Sequence, residues 1–510
     1  MKKLLSFYLL FVGILFCNAQ TNLTLLRDKV FDSWSISNTA LGILNSSGDK
    51  YYVYNEDFYK YRERDMNQDV VFCIDKNRGN VSEITLVHNE DYHFSKWYED
   101  QNNLYALFSI YRWKEKTFKL VLNTIGKDLS TATWNPKEAI SVKAERTDDF
   151  FSFSAVSPDQ TKMAVGVVLT NKKGSIKGSS IMLFGDNGEM LWKNALDVEF
   201  SNPNFKLMKM IVSNNGEVYL ALASYGDQTK HSRENETFHL YKITENNIIS
   251  ADESIGFGFL SNAEMMFNKK GNVVIGGYYC KDLNDYESGT YMAIFDTQND
   301  QINNLNNQEF PNEYALDKKN AIGVPKSTNF IVIPDQLFEF QDGTIVLLGE
   351  QYQKTESSYV TSSGFVNTIY TYYYKNILSS FADEDGKLND WKMIKKLQIE
   401  GPGGSLRFKE RQFYGASFTS FLHNNQVYLL YQNHVDNFKG KANVPCKSKE
   451  TSKHCTVLTT ISDSKDVSTS MVIDPATKSR MVAPLFMDED GVILLLLAGK
   501  KNGQLSNLKL

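Results

Sequence analysis

The sequence contains few of the residues that dominate several common classes of protein. Its 510 residues include only 10 prolines, five cysteines and seven histidines. So few prolines exclude a proline-rich linker protein. Lysine and arginine number 55 against 60 aspartate and glutamate residues, so the chain is mildly acidic. Nucleic-acid binding requires a basic face, and we therefore expect no nucleic-acid partner.

The chain also lacks the short motifs that mark common catalytic and cofactor sites. It contains neither Gly-x-Ser-x-Gly nor His-Glu-x-x-His. Gly401–Ser405 is rich in glycine, but the Lys-Ser/Thr pair of a phosphate-binding loop does not follow it. Asp383–Gly386 is acidic, but the later glutamate of a calcium-binding loop is missing. We therefore predict no catalytic residue, no metal and no cofactor.

The N-terminal segment has the pattern of a secretory signal peptide. Lys2 and Lys3 precede an apolar run from Leu4 to Phe16, and Cys17–Ala19 fits a small-x-small cleavage site. This run has 13 residues, too few to span a bilayer, and no later stretch is apolar and long enough for a transmembrane helix. We predict a signal peptide over residues 1–19, with lipid attachment at the cysteine as the alternative. The segment resembles those of exported Bacteroidota-type Gram-negative proteins, which implies a periplasmic, outer-membrane or cell-surface location.

Internal repetition is the strongest structural signal that the sequence does contain. An apolar strand, a tight turn rich in Asn, Asp and Gly, and a second apolar strand recur eight times. Such turns join antiparallel strands because these residues tolerate positive φ. Strands that are apolar throughout are typical of strands covered on both faces. The second strands are predicted to begin near residues 51, 104, 163, 218, 273, 345, 427 and 492.

We therefore predict an all-β fold: a single β-propeller of about eight four-stranded blades, with seven blades as the alternative. Ser157-Pro158-Asp159 and the following strand resemble the repeat of TolB-type and WD40-like propellers, which implies the fold and no functional residue. The last unit lacks a fourth strand, and residues 22–26 form a spare strand before the first unit. Pairing of 22–26 with the last blade is predicted to close a propeller over residues 20–510.

Three insertions lengthen the sixth and seventh units, at residues 351–368, 401–407 and 433–453. Connections between blades, and between second and third strands, share one face of a propeller, where binding surfaces are commonly built. We expect the three insertions to form one lobe, the alternative being variable loops without a partner. The candidate partner-binding residues are Tyr352, Tyr359, Phe365, Arg407, Lys439, Lys441, Lys447 and Lys449.

Cys446 and Cys455 are predicted to close the last insertion with a disulfide, because export permits disulfides. Cys73 and Cys280 lie in strand-like runs and are predicted to be buried thiols. A zinc site at the Cys446/Cys455 pair, with the nearby histidines, is disfavoured because His454 is directly adjacent to a cysteine, an unusual ligand spacing.

These features favour an exported scaffold that binds a protein partner in the cell envelope or at the cell surface, without catalysis. The basis is the large rigid fold, the clustered insertions and the missing catalytic motifs. The alternative is a carbohydrate-active or carbohydrate-binding propeller, which acidic and aromatic side chains around the central channel would support. An apolar or plugged channel would count against that alternative.

Overall fold

The fold is nearly all β. The computed structural model describes residues 22–32, 40–47, 50–56, 67–75, 81–88, 92–129, 134–143, 150–170, 176–196, 205–224, 236–281, 287–311, 330–360, 366–403, 417–438, 444–447, 453–477, 480–487, 491–498 and 502–510. These residues form eight sheets, seven of which have four strands. The arrangement confirms the predicted β-propeller of about seven to eight blades. The predicted signal peptide lies outside the described residues.

The sheets follow one another in chain order, and we number them 1 to 8. Sheets 1 and 2 contain β2 (Ala40–Ser47), β3 (Lys50–Glu56), β4 (Asn67–Asp75) and β5 (Val81–His88), then β6 (His93–Glu99), β7 (Asn103–Arg112), β8 (Thr117–Gly126) and β9 (Lys137–Lys143). Sheets 3 and 4 contain β10 (Phe150–Val156), β11 (Met163–Thr170), β12 (Ile176–Phe184) and β13 (Met190–Ala195), then β14 (Phe205–Val212), β15 (Val218–Ser224), β16 (Thr237–Ile243) and β17 (Ile248–Ser254).

The second half continues this pattern until sheet 6, which is larger. Sheet 5 contains β18 (Phe259–Phe267), β19 (Val273–Cys280), β20 (Glu287–Asp296) and β21 (Gln301–Glu309). Sheet 6 contains β22 (Ile331–Glu339), β23 (Ile345–Val360), β24 (Val366–Ala382), β25 (Leu388–Ile394), β26 (Gln398–Gly403) and β29 (Cys446–Lys447). Sheet 7 contains β27 (Phe418–His423), β28 (Gln426–His434), β30 (His454–Ser462) and β31 (Val467–Ile473), with helix α1 (Val435–Phe438) after β28. Sheet 8 contains β32 (Arg480–Met487), β33 (Val492–Ala498), β34 (Asn502–Lys509) and β1 (Asn22–Asp32).

Hydrophobic clusters between neighbouring sheets hold the propeller together. Tyr219 and Phe238 of sheet 4 pack against Val273 and Tyr291 of sheet 5, and comparable clusters join sheets 1–2, 2–3, 3–4, 5–6, 6–7 and 7–8. Sheets 2 to 7 are thus covered on both faces, which explains why their second strands are rich in apolar residues. Burial of each large apolar side chain contributes about 1.5–3 kcal/mol.

The turn residues set the register of the hairpins. Asn424 and Asn425, between β27 and β28, have φ values of 47° and 60°. Two successive positive φ angles define the turn that matches the twist of a hairpin, and asparagine tolerates them better than most residues. Gly216 performs a related role with φ 87°, donating its N–H to the Ser213 carbonyl at 2.9 Å.

The first strands of the sheets line the centre of the ring. Contacts run from β6 to β10, then to β14, β18 and β22, while sheet 8 contacts sheets 7 and 1 through β32. Several of these inner strands contain a register shift, including β6, β14, β18 and β22. A bulge of this kind adds twist and redirects side chains. In sheet 8, β1 pairs antiparallel with β34, with Asn22 opposite Lys509.

Candidate binding lobe on sheets 6 and 7

A long hairpin extends sheet 6 beyond the other sheets. β23 and β24 contain 16 and 17 residues, and their pairing continues to Val360 opposite Val366. The prediction that residues 351–368 form a loop is therefore wrong for 351–360 and 366–368, which are strand. Thr and Tyr recur along both arms and suit strands, so the polar serines between them do not end the pairing. Tyr370–Tyr374 lies within β24, and its aromatic side chains suit a pleated strand.

The three insertions meet in one extension of this sheet. β24 pairs with β26, with Tyr370 opposite Gly403, and β26 pairs in parallel with β29, with Gln398 opposite Cys446. The Cys446 N–H also donates to the Leu397 carbonyl at 2.8 Å. We call the described part of this extension the lobe: residues 353–360, 366–374, 398–403, 435–438 and 444–447. It joins sheet 6 to the connection between the second and third strands of sheet 7.

The candidate partner-binding residues differ in how exposed they are. Tyr359 is exposed near the end of the hairpin. Tyr352 was predicted to lie on an exposed surface, but it is buried. Its ring centroid lies 5.3 Å from that of Tyr374. Its position in β23 places it at the base of the hairpin, under the aromatic residues of β24. Lys447 lies in β29, and the remaining candidates lie outside the described residues: Phe365, Arg407, Lys439, Lys441 and Lys449.

The end of the hairpin carries exposed apolar side chains. Tyr359, Val360 and Val366 are 48%, 68% and 65% exposed, and we call these three residues the tip. Below them Lys354 lies with its Nζ 4.6 Å from the centroid of the Tyr370 ring. The tip is thus an apolar surface at the far end of a projecting hairpin whose arms carry polar and charged side chains.

A buried ion pair lies at the base of the lobe. The ammonium of Lys396 contacts the carboxylate of Glu350, and neither side chain is more than 5% exposed. The hydroxyl of Ser417, which directly precedes β27, donates to the same carboxylate. Burial lowers the pKa of Lys396, an effect that the charge of Glu350 opposes. Because an isolated buried ion is very costly, each group requires the other.

Aromatic rings and amides complete this base. The Lys396 Nζ lies 5.9 Å from the ring centroids of both Tyr374 and Tyr431, a geometry favourable for a cation. Asn376 donates its side-chain N–H to the Gln351 amide oxygen at 2.9 Å. Sequence reasoning missed these residues. The available signal was Glu350, which interrupts the apolar run of β23.

Cys446 lies in β29 of sheet 6 and Cys455 in β30 of sheet 7, and no disulfide joins them in the structure. Cys446 and Cys455 are both buried thiols in the structure, so the disulfide stays a prediction that comparing intact mass before and after reduction would test. The Cys455 thiol donates to the Asn433 carbonyl at 3.4 Å, and burial raises its pKa to about 11. His434 lies opposite His454 in the pairing of β28 with β30.

Cys73 and Cys280 are buried thiols, as predicted. Among the residues that the structure describes, no group of three or more His, Cys, Asp or Glu side chains could hold a metal ion. Within the same residues, no helix has the length and apolar character needed to cross a membrane.

A cleft lies on the opposite face from the lobe, between sheets 5 and 6. Its volume is about 390 Å³. Its rim includes an ion pair between Lys270 and Glu384, 2.7 Å apart, and both side chains are more than half exposed. Such exposed pairs are weak. The cleft is lined by Lys270, Asn272, Ile294, Ile302, Asn303, Glu384 and Asp385.

Comparison with known proteins finds similarity to solved structures only. No family model and no curated protein matches the chain. Among solved structures, it is similar to polysaccharide lyase Uly1, with 11% identity over 82% of this chain and 90% of that one and a TM-score of 0.37. The β-propeller domain of the Trilobed protease from Pyrococcus furiosus matches with 8% identity, 75% and 98% coverage and a TM-score of 0.35. The WD40 domain of SCAP from fission yeast matches with 10% identity, 96% and 98% coverage and a TM-score of 0.35. The neighbours of this chain are β-propeller and WD40-like proteins.

Proposed function

We propose that this chain is an exported scaffold that binds a protein partner in the cell envelope or at the cell surface, through the lobe and without catalysis. The observation that carries the proposal is the tip, where Tyr359, Val360 and Val366 are exposed together. Val360 and Val366 lie opposite each other on one face of the hairpin and Tyr359 lies on the other face. Exposed apolar side chains on a projecting element are typical of interaction sites. Tyrosine is also a frequent anchor in protein interfaces.

The construction of the hairpin supports the same function. An isolated two-stranded hairpin is only marginally stable in water. Here β23 and β24 are continuous with sheet 6, and β26 pairs with β24 alongside. The buried pair of Glu350 and Lys396 further fixes the base. A surface that is ordered before binding loses less conformational entropy when the partner arrives, so this hairpin suits a binding role.

Charge indicates the kind of surface that the partner presents. Residues 439–453 contain five lysines and a single acidic residue, Glu450. Lys453, at the start of the third strand of sheet 7, is exposed. Basic groups at the rim of an interface accelerate association with acidic partners and lose effect in salt. We therefore expect an acidic partner surface with an apolar depression for the tip.

A matched pair of variants tests this proposal. The tip variant carries Tyr359→Ser, Val360→Ser and Val366→Ser. The control variant carries Met190→Ser, Leu191→Ser and Ile248→Ser, three residues of sheets 3 and 4 that are also exposed. Each is used as bait, beside the unaltered chain, in quantitative cross-linking of intact cells of the source organism.

We expect one protein to be cross-linked by both the unaltered chain and the control variant. The cross-linked amount of that protein should be about tenfold lower, or lower still, with the tip variant. Loss of an anchor that contributes about 1.4 kcal/mol or more to the binding free energy lowers the affinity by this factor. Binding of that protein, once purified, should weaken as salt rises. Identical cross-linked sets for all three baits would refute the tip as the binding surface.

A further inference from the structure

Charged side chains from three sheets meet in the central channel. Lys96 lies on β6 of sheet 2, Lys209 on β14 of sheet 4 and Glu264 on β18 of sheet 5. The register shifts of β6 and β14 end at these two lysines, between Phe94 and Lys96 and between Leu207 and Lys209. Because bulges redirect side chains, they account for long charged residues pointing away from the packed faces of the sheets.

Lys96 lies on an inner strand, as Lys209 and Glu264 do, and so borders the central channel. The charges of Lys209 and Glu264 both act on its ammonium, although their strands belong to sheets two and three places further around the ring. Groups on such distant sheets approach each other only through the centre. Lys96 is exposed to solvent, yet burial, followed by the charge of Lys209, lowers its pKa. This combination is expected for an amine inside a narrow space that contains water.

The three groups carry one positive charge in excess. Lys209 and Glu264 form an ion pair, with 2.5 Å between Nζ and Oε2. Within the described residues, the Lys96 ammonium has no ion pair or hydrogen bond of its own. The carboxylate of Asp335, on β22, is engaged by the Ser420 hydroxyl at 3.0 Å. Low-dielectric walls concentrate the field of an unpaired charge, so the channel attracts an anion to Lys96.

We propose that the central channel binds a small anionic group, an oxyanion or a carboxylate, between Lys96 and Lys209. The Lys96 ammonium supplies the main charge, and Lys209 supplies a second donor while it remains paired with Glu264. The group is either a free ion or the anionic end of a larger ligand, because both present the same oxygens. This site is separate from the lobe, so its failure or success leaves the partner-binding proposal untouched.

Calorimetric titration of the purified chain tests the proposal. Inorganic phosphate, sulfate and glucuronate are titrated separately at constant ionic strength, held with sodium chloride. Lys96→Met removes the charge. Lys114→Met is the matched control, since Lys114 is exposed in the turn between β7 and β8 of the same sheet. Lys96→Arg retains the charge and tests rescue.

We expect saturable binding of at least one anion by the unaltered chain and by the Lys114→Met control. Lys96→Met should weaken it about tenfold or more, as loss of a charge-assisted hydrogen bond does, and Lys96→Arg should restore most of the affinity. Preference for phosphate or sulfate would indicate a free oxyanion, and preference for glucuronate a carboxylate on a larger ligand. No saturable binding of any anion, or equal binding by Lys96→Met and Lys114→Met, would overturn the proposal.

Discussion

The second strands of sheets 5 and 6 begin alike and end differently. β19 reads Val273 to Gly277 and β23 reads Ile345 to Gly349, and each strand has glycine at its fifth position. The first eight residues of both are buried. After the glycine, β19 continues with two tyrosines and ends at Cys280. β23 continues with Glu350 and Gln351 and extends into the lobe.

This difference shows how one repeat produces either a packed scaffold or a projecting lobe. Tyr278 closes the end of sheet 5 by lying on Gly349, where a Cβ atom would come within 2.3 Å of the tyrosine hydroxyl. The glycine of sheet 6 is therefore required by packing. The next residue, Glu350, is buried, and it places a carboxylate where sheet 5 has the aromatic ring of Tyr278. A buried carboxylate needs a cation, and Lys396 supplies it.

The largest effect should come from breaking that pair. Lys396→Met leaves the Glu350 carboxylate buried without its cation and should cost about 3–5 kcal/mol of unfolding free energy. The double variant Glu350→Met/Lys396→Met should be far less destabilised, because no charge remains. Urea denaturation measures both. Ile275→Val, in the apolar part of sheet 5, is the reference and should cost about 0.5–1.5 kcal/mol. If the single and double variants lost equal unfolding free energy, the base of the lobe would be stabilised by packing alone and not by the ion pair.

A second prediction concerns a buried acid between sheets 4 and 5 that has no comparable ion pair. One oxygen of Glu236 accepts the Leu260 N–H at 3.0 Å, and the other has no hydrogen bond within the described residues. Burial raises the pKa of Glu236 from the ordinary value of 4.5 to about 8, against the opposing effects of the Leu260 N–H and Lys206. The folded chain therefore holds a proton that the unfolded chain releases between these values.

The contribution of Glu236 to the unfolding free energy should accordingly fall as pH rises from about 4.5 to about 8, and should then level off. Glu236→Gln keeps the hydrogen bond from Leu260 and does not titrate, so it should flatten this fall. At pH 8–9 the variant should be more stable than the unaltered chain by about 1–3 kcal/mol. Denaturation curves across the pH range test this. An unchanged slope in the variant would assign the fall to other groups.

The repeated part of the molecule was more predictable from sequence than the lobe. The second strands begin at residues 50, 103, 163, 218, 273, 345, 426 and 492, each within one residue of its predicted start. Turn residues such as Asn424 and Gly216 mark those starts locally, because their φ angles are positive. The insertions that form the lobe were recognisable only because the sixth and seventh units are longer than the others. The pairing of Glu350 with Lys396 joins residues 46 positions apart, and no local pattern encodes it.

The smallest effect on stability is expected at the tip. Its three side chains are exposed, so replacing Tyr359, Val360 and Val366 with serine should change the unfolding free energy by less than about 0.5 kcal/mol for each residue. Tyr374→Ser, in the base of the same hairpin, removes a fully buried ring and should cost about 3–5 kcal/mol. Urea denaturation of the two variants places them on one scale. A tip variant as unstable as Tyr374→Ser would show that the tip is packed against the rest of the chain. A stable tip variant would mean that folding does not require these apolar residues.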